Sequence, residues 1–123
     1  MPTLAQARIG QIAIVCQDVA RAKAFYKDTL GVKHLFDAGP TLSFFDCGGT
    51  RLMLSPAEGE ARETSILYYF VSDIDGGKKE LTGKGVTFVG ETHMIAKMPD
   101  HELWLAEFRD SEGNVMALME ERR

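Results

Sequence analysis

The sequence has few cysteines, no long hydrophobic run and no excess of positive charge. Its two cysteines, Cys16 and Cys47, form no CxxC pair, so we expect reduced thiols and no disulfide framework. No apolar run approaches the roughly 20 residues of a transmembrane helix, and residues 1–10 lack the pattern of a signal peptide. The net charge of −4 is opposite to that of a nucleic-acid-binding surface. These absences predict a cytoplasmic protein that binds neither nucleic acid nor membrane.

The residues that are present suffice for one packed domain. The chain has 123 residues, of which 45% are hydrophobic and 26% are charged. This balance is typical of a globular domain that builds its core without disulfides. We therefore expect a single domain over residues 1–123.

A strand followed by a helix opens the first half of the chain. Residues 9–16 alternate between two faces with the period of a β-strand. Asp18 is placed to cap a helix over residues 20–30, and Gly31 would end that helix. Three further strands, the last two joined by a Gly-Gly hairpin, are predicted over residues 32–36, 42–45 and 51–55.

The same order recurs in the second half, with a strand over 66–71 and a helix over 74–81. Three strand regions follow, beginning at residues 86, 103 and 115. Asp73 stands 55 positions after Asp18, and Gly85 stands 54 positions after Gly31. This nearly constant offset indicates an internal βαβββ repeat. The predicted parts are module one over residues 6–55, a linker over 56–64 and module two over 65–120.

Each βαβββ unit has a helix for one face of its sheet only. The opposite face must be buried against the other unit or against a ligand. We therefore expect an α+β fold in which the two modules form a cup-shaped, open mixed β-barrel.

Three segments resemble the vicinal oxygen chelate family, which includes the glyoxalases, the bleomycin resistance proteins and the extradiol dioxygenases. They are IGQIAIVCQD at residues 9–18, FYKDTLG at 25–31 and FRDSEGNVMALME at 108–120. The resemblance implies a glyoxalase-like pair of βαβββ modules, usually in a homodimer. It also implies a cup that holds either a divalent metal or an apolar ligand.

In metal-dependent members of this family, the ligands are His, Gln or Glu on the first and last strand of each module. The corresponding positions in this chain are Gln11, Met53, Ile66 and Ala117. Only Gln11 offers an oxygen, and such a set cannot hold a divalent ion. We therefore expect no metal at these positions and no cofactor, and a metal held by a different ligand set stays an open alternative.

A carboxylate and two histidines are the candidate catalytic residues. The resemblance and strand parity orient Glu107 toward the cup, where apolar neighbours would raise its pKa. Glu107 could then act as a general acid or base with His93 or His101. The alternative is a structural ion pair between Glu107 and Arg51.

The expected cup has a mainly apolar wall with a few polar points. The ligand-binding residues, from strand parity and from the carried-over positions, are Gln11, Ser43, Arg51, Met53, Ile66, Tyr68, Leu105 and Ala117. Such a wall suits a small organic ligand. Outside it, we expect Trp104 in the core and residues 120–123 as a solvated tail.

The favoured function is therefore binding of a small organic ligand without the usual metal. The alternative is a glyoxalase-like lyase, isomerase or dioxygenase. That enzyme would act through Glu107 with His93 or His101, or through a non-standard metal site.

Overall fold

The computed structural model describes residues 5, 8–57 and 64–123, which form two compact units that divide after Thr64. The elements of the first unit are β1 (Gln11–Cys16), α1 (Val19–Ala24), β2 (Lys33–Ala38), β3 (Leu42–Cys47) and β4 (Thr50–Pro56). The elements of the second unit are β5 (Tyr68–Phe70), α2 (Ile74–Gly83), β6 (Phe88–Lys97), β7 (Glu102–Arg109) and β8 (Val115–Arg122). The predicted βαβββ order is confirmed in both units. Most of the predicted linker, residues 58–63, lies outside the described residues.

The first unit is a mixed sheet with a helix on one side. Its strand order is β1-β4-β3-β2, with β1 parallel to β4 and the other pairs antiparallel. Ile14, Leu54 and Phe45 are buried on the side of α1, where the Tyr26 ring lies 6.2 Å from that of Phe45. The other side is the helix-free face of the first sheet. Strand register assigns to it, among others, Gln11, Phe36, Phe44, Arg51 and Met53.

The second unit repeats this plan with the order β5-β8-β7-β6. Helix α2 lies on the side of Phe88 and Phe108, and the Lys78 ammonium sits 5.5 Å above the Phe88 ring. The opposite side is the helix-free face of the second sheet. Strand register assigns to it Tyr68, Val89, His93, Leu105, Glu107 and Ala117.

The two aspartates predicted as helix caps are confirmed. The carboxylate of Asp18 accepts a hydrogen bond from the backbone N–H of Arg21 at 3.0 Å, and that of Asp73 accepts from Gly76 at 3.1 Å. Each satisfies an N–H that the first helical turn leaves without a helical partner. Beyond α1, residues Phe25–Thr29 continue as a π-helical turn, which ends before Gly31 at a φ of 75°.

Both cysteines are free thiols, as expected. Burial raises the pKa of the Cys47 thiol, and the neighbouring Asp46 carboxylate raises it further. Neither helix in the described part of the chain has the length and apolar character needed to cross a bilayer.

The expected solvated tail at residues 120–123 is wrong, because β8 runs to Arg122. The Glu120 carboxylate accepts a 2.7 Å hydrogen bond from the backbone N–H of Ile74, the first residue of α2. The Arg122 guanidinium lies 4.4 Å above the Trp104 ring. Trp104 is thus half-buried beneath a cation. Residues 120–122 continue the strand pairing with β7. They can do so because Glu120 and Arg122, which alternate with Glu121, have partners on the helix side.

Asp37 in β2 gathers three polar side chains on the helix side of the first sheet. It accepts hydrogen bonds from Lys23 Nζ at 2.6 Å and Ser43 Oγ at 2.8 Å, and His34 Nε2 lies 2.9 Å from its Oδ1. The bonds from Lys23, His34 and Ser43, in that order, hold the pKa of Asp37 well below its ordinary value. The carboxylate therefore stabilises the fold above the ordinary pKa of about 4, and this contribution is lost as the pH falls further.

Replacing Asp37 with Asn should lower the melting temperature at pH 7, because the amide keeps the size but loses the charge that Lys23 and Ser43 bond. The difference from wild type should shrink as the pH falls from about 4 toward 2, since acid neutralises the wild-type carboxylate. Differential scanning fluorimetry across this range measures it, with the exposed Asp28→Asn as control. A difference that stays constant with pH would contradict the role given to the charge.

Candidate functional site

The helix-free face of the first sheet holds a guanidinium beside two stacked aromatic rings. Arg51 donates from Nε to the Gln11 amide oxygen at 2.7 Å, and its guanidinium carbon lies 5.3 Å above the centroid of the Phe44 ring. Phe36 stacks on Phe44 with centroids 4.7 Å apart and planes 20° apart. The Gln11 amide nitrogen lies 3.7 Å from the Met53 sulfur. Arg51 is thereby fixed in place by an amide and a ring.

Strand register explains why these residues meet. Gln11 is the register partner of Arg51 on β4, and Phe44 is the partner of Met53. A bulge between His34 and Phe36 shifts the register of β2 against β3. Without that bulge, His34 and Phe36 would share a face. The bulge sends Phe36 to the helix-free face, while His34 packs against Phe45 on the helix side with ring centroids 5.1 Å apart.

Sequence reasoning missed Phe36 and Phe44, and it misplaced Ser43. The two-residue turn Gly48-Gly49 pairs Cys47 with Thr50, which sets Ser43 opposite Leu54. Ser43 is therefore buried on the helix side, where it donates to Asp37. Its expected place beside Gln11 and Arg51 is wrong. The Gly-Gly turn was the signal that could have fixed this register.

The helix-free face of the second sheet carries Glu107 among apolar side chains. Glu107 is half-buried, and its register partners are Ala117 on β8 and Val89 on β6. Ala117 is in turn the partner of Tyr68 on β5. The expected orientation of Glu107 away from the helix agrees with this register.

Of the two candidate histidines, His93 lies nearer to Glu107. His93 is the register partner of Leu105, two positions before Glu107 on β7, and it therefore shares the face of Glu107. Its Nδ1 lies 3.0 Å from the backbone carbonyl oxygen of Glu91. A carbonyl only accepts, so in this contact Nδ1 is the donor.

His101 is far from Glu107. It lies in the turn between β6 and β7, six positions before Glu107, which corresponds to about 20 Å along an extended strand. Its Nδ1 is 2.7 Å from Asp100 Oδ1, and bonds from His101 and Arg123 lower the pKa of Asp100. His101 lines an open pocket of about 270 Å³ together with Met98 and Arg123. The structure does not bring His101 and Glu107 together for proton transfer.

The four positions at which the resemblance places metal ligands have unsuitable chemistry. Gln11 already bonds Arg51, and Met53 supplies a thioether, which is a soft and weak ligand. Ile66 is exposed and Ala117 is fully buried, and neither has a donor atom in its side chain. Across residues 8–57 and 64–123, no three His, Cys, Asp or Glu residues are grouped so that they could hold a metal ion. The residues at these positions therefore do not fit a divalent metal.

Comparison with models of known families tests the resemblance to the vicinal oxygen chelate family. The model of the Glyoxalase/Bleomycin resistance protein/Dioxygenase superfamily matches residues 8–118. The chain belongs to this superfamily. This glyoxalase-superfamily chain is also 27% identical to the uncharacterized protein YetH of Bacillus subtilis, over 92% of this chain and 98% of that protein.

Solved structures of other proteins share the fold. A member of the same superfamily from Sphaerobacter thermophilus is 28% identical, with a TM-score of 0.76 over 94% of this chain and 98% of that one. A lactoylglutathione lyase from Agrobacterium tumefaciens is 21% identical, with a TM-score of 0.76 over 94% and 95%. TnmS3, an antibiotic binding protein from a Streptomyces species, is 24% identical, with a TM-score of 0.74 over 95% and 98%. The same fold thus occurs in a lyase and in an antibiotic binding protein, so the function has to be argued from the site.

Proposed function

We propose that this chain binds a small organic ligand on a helix-free sheet face, without a divalent metal. The observation that carries the proposal is the group formed by Arg51, Gln11, Phe44 and Phe36 on the first sheet. Apolar surface with a few fixed polar groups is typical of small-molecule sites. The antibiotic binding named for TnmS3 supports the same class of function on this fold.

The absence of a metal is part of the proposal. Zn²⁺, Ca²⁺ and Mg²⁺ all require several nitrogen, oxygen or thiolate donors. The positions Gln11, Met53, Ile66 and Ala117 supply a single amide oxygen that suits such an ion, and that oxygen is engaged by Arg51. Ligand affinity should therefore not depend on added divalent ions.

A lyase or isomerase is the second candidate, and the shared face of Glu107 and His93 favours it. A carboxylate and an imidazole in adjacent rows of side chains on one face could exchange protons with the same bound molecule.

The homodimer stays a further proposal. A second copy could pair with edge strand β6, on which the side chains of Met94 and Ile95 are exposed.

A thermal-shift screen in EDTA tests the proposal. Neutral, anionic and cationic aromatic and aliphatic compounds are each added to the purified full chain. A true ligand at about 100 times its Kd should stabilise the fold by about 2.7 kcal/mol, and isothermal titration calorimetry then gives the affinity. We expect the same Kd with EDTA as with added Zn²⁺ or Mn²⁺.

Glu107→Gln distinguishes the two candidates, with the exposed Glu80→Gln as the matched control. If the chain only binds, mass spectrometry should detect no conversion of a bound compound by the wild type. Turnover by the wild type that falls at least 100-fold in Glu107→Gln would overturn the binding-only function in favour of the enzyme. A screen without a single binder, or binding that requires a divalent ion, would contradict the proposal itself.

A further inference from the structure

Gln11 and Phe44 orient the guanidinium of Arg51, but among the described residues only one of its nitrogen atoms forms a hydrogen bond. Nε donates to Gln11, and the guanidinium carbon lies over the ring of Phe44, 5.3 Å from its centroid. Within the described residues, neither of its two Nη atoms has a hydrogen-bond partner, and Arg51 is exposed to solvent. Among the described residues, both NH₂ groups thus remain unpaired on a side chain that Gln11 and Phe44 hold from two sides. Fixing the donor before binding reduces the entropy that a ligand has to offset.

The chemistry of this donor selects an anionic group. A planar guanidinium matches the two oxygens of a carboxylate or the oxygens of a phosphate or sulfonate, and such charge-assisted bonds are roughly twice as strong as neutral ones. Lys33 and Asp46 stand in the same row of the sheet as Arg51, and their opposite charges offset each other. The net charge of the whole chain matters less here, because salt screens exposed charges beyond about 8 Å.

The neighbouring rings select a planar aromatic body. Phe44 is only 8% exposed, because Phe36 and Arg51 approach it from the two strands that flank β3. Phe36 is 45% exposed on edge strand β2, and stacking on Phe44 holds its ring in place. An exposed ring with a fixed orientation offers a face or an edge to another ring. A saturated ligand of equal size would gain contact area but no such ring interaction.

We infer that the ligand is a planar aromatic compound with an anionic group, which Arg51 binds while the Phe36–Phe44 stack receives the ring. This inference rests on the proposed function and defines its ligand class. It depends on Phe36, which lies on this face only because the β2 bulge turns it away from the helix side.

Three probes of similar size separate charge from aromaticity. They are 2-naphthoate, its neutral amide 2-naphthamide, and decahydro-2-naphthoate, which keeps the carboxylate but loses the planar rings. Isothermal titration calorimetry on the full chain should give 2-naphthoate the lowest Kd. We expect a Kd at least about 10-fold higher for each of the other two.

Variants on the same face assign this preference to residues. Arg51→Gln should raise the Kd of 2-naphthoate at least about 10-fold and leave that of 2-naphthamide within about 2-fold. Arg51→Lys keeps the charge but loses the two parallel NH₂ donors, so its Kd for 2-naphthoate should lie between those of the wild type and Arg51→Gln. Phe36→Leu should weaken both naphthalene probes and leave decahydro-2-naphthoate unchanged. The exposed Lys27→Gln removes the same charge elsewhere and should change no Kd.

The same variants are applied to every compound found in the thermal-shift screen. Anionic aromatic binders that weaken in Arg51→Gln support the inference. Binders that are neutral, cationic or aliphatic, or that bind Arg51→Gln as tightly as wild type, overturn it and leave the proposed function standing. If neither the three probes nor any screened compound binds the wild-type chain, the proposed function fails as well.

Discussion

Replacing Phe45 with alanine should lower the free energy of unfolding by about 3–5 kcal/mol, whereas Phe36→Ala should cost about 1 kcal/mol or less. The two phenylalanines lie on neighbouring strands of the first sheet but point to opposite faces. Phe45 is fully buried against Tyr26 and His34, so its removal leaves a cavity in the core. Phe36 is nearly half exposed, and truncating it leaves no enclosed void.

Urea unfolding followed by circular dichroism measures both changes. If the two units unfold separately, the transition of the first unit is the one that should shift, because Phe45 packs within that unit. Phe36→Ala should keep the wild-type transition and lose affinity for 2-naphthoate. Equal destabilisation by the two variants would mean that Phe36 belongs to the core, and its assignment as a ligand contact would be wrong.

The parts of the fold that local chemistry determines could be predicted from the sequence. Asp18 and Asp73 cap their helices because a short carboxylate can reach an N–H three residues later. Gly31 and Gly85 both adopt positive φ just beyond a helical segment, which other residues rarely do. Each of these signals acts within a few residues. Their repetition at a nearly constant offset was therefore enough to predict two βαβββ units.

The candidate site could be predicted only where simple alternation holds. Gln11, Arg51 and Met53 share a face because β1 and β4 pair without interruption over their whole register. The bulge in β2 depends on the partner strand, and no period-two pattern within residues 33–38 shows it. Phe36 was missed for this reason. Ser43 was misplaced because its register follows from a turn several residues away.

The charged end of the chain illustrates the same limit. Four consecutive charged residues predict solvent exposure when they are considered alone. In the fold, the alternation of side chains along β8 places these residues in different environments. Glu120 contacts the start of helix α2 and Arg122 contacts Trp104, while Glu121 is exposed. The partner groups lie 46 residues away at Ile74 and 18 residues away at Trp104, so only the sheet register brings them together.

Glu120→Ala should therefore lower the free energy of unfolding by about 2–3 kcal/mol, while Glu121→Ala should change it by no more than about 0.5 kcal/mol. The Glu120 carboxylate is largely buried and accepts the N–H of Ile74, whose side chain is fully buried at the start of α2. Alanine would leave that N–H without an acceptor and remove a negative charge from the positive end of the helix dipole.

Glu120→Gln separates the hydrogen bond from the charge, because the amide oxygen can still accept from Ile74. It should recover more than half of the stability that Glu120→Ala loses, and urea midpoints at pH 7 rank the three variants. Glu121 bonds only the exposed Arg123 among the described side chains, so its replacement controls for the loss of a surface ion pair. If Glu120→Ala were as mild as Glu121→Ala, residues 120–123 would contribute no more than a solvated tail. A clear difference between the two would instead make the end of β8 part of the support for helix α2.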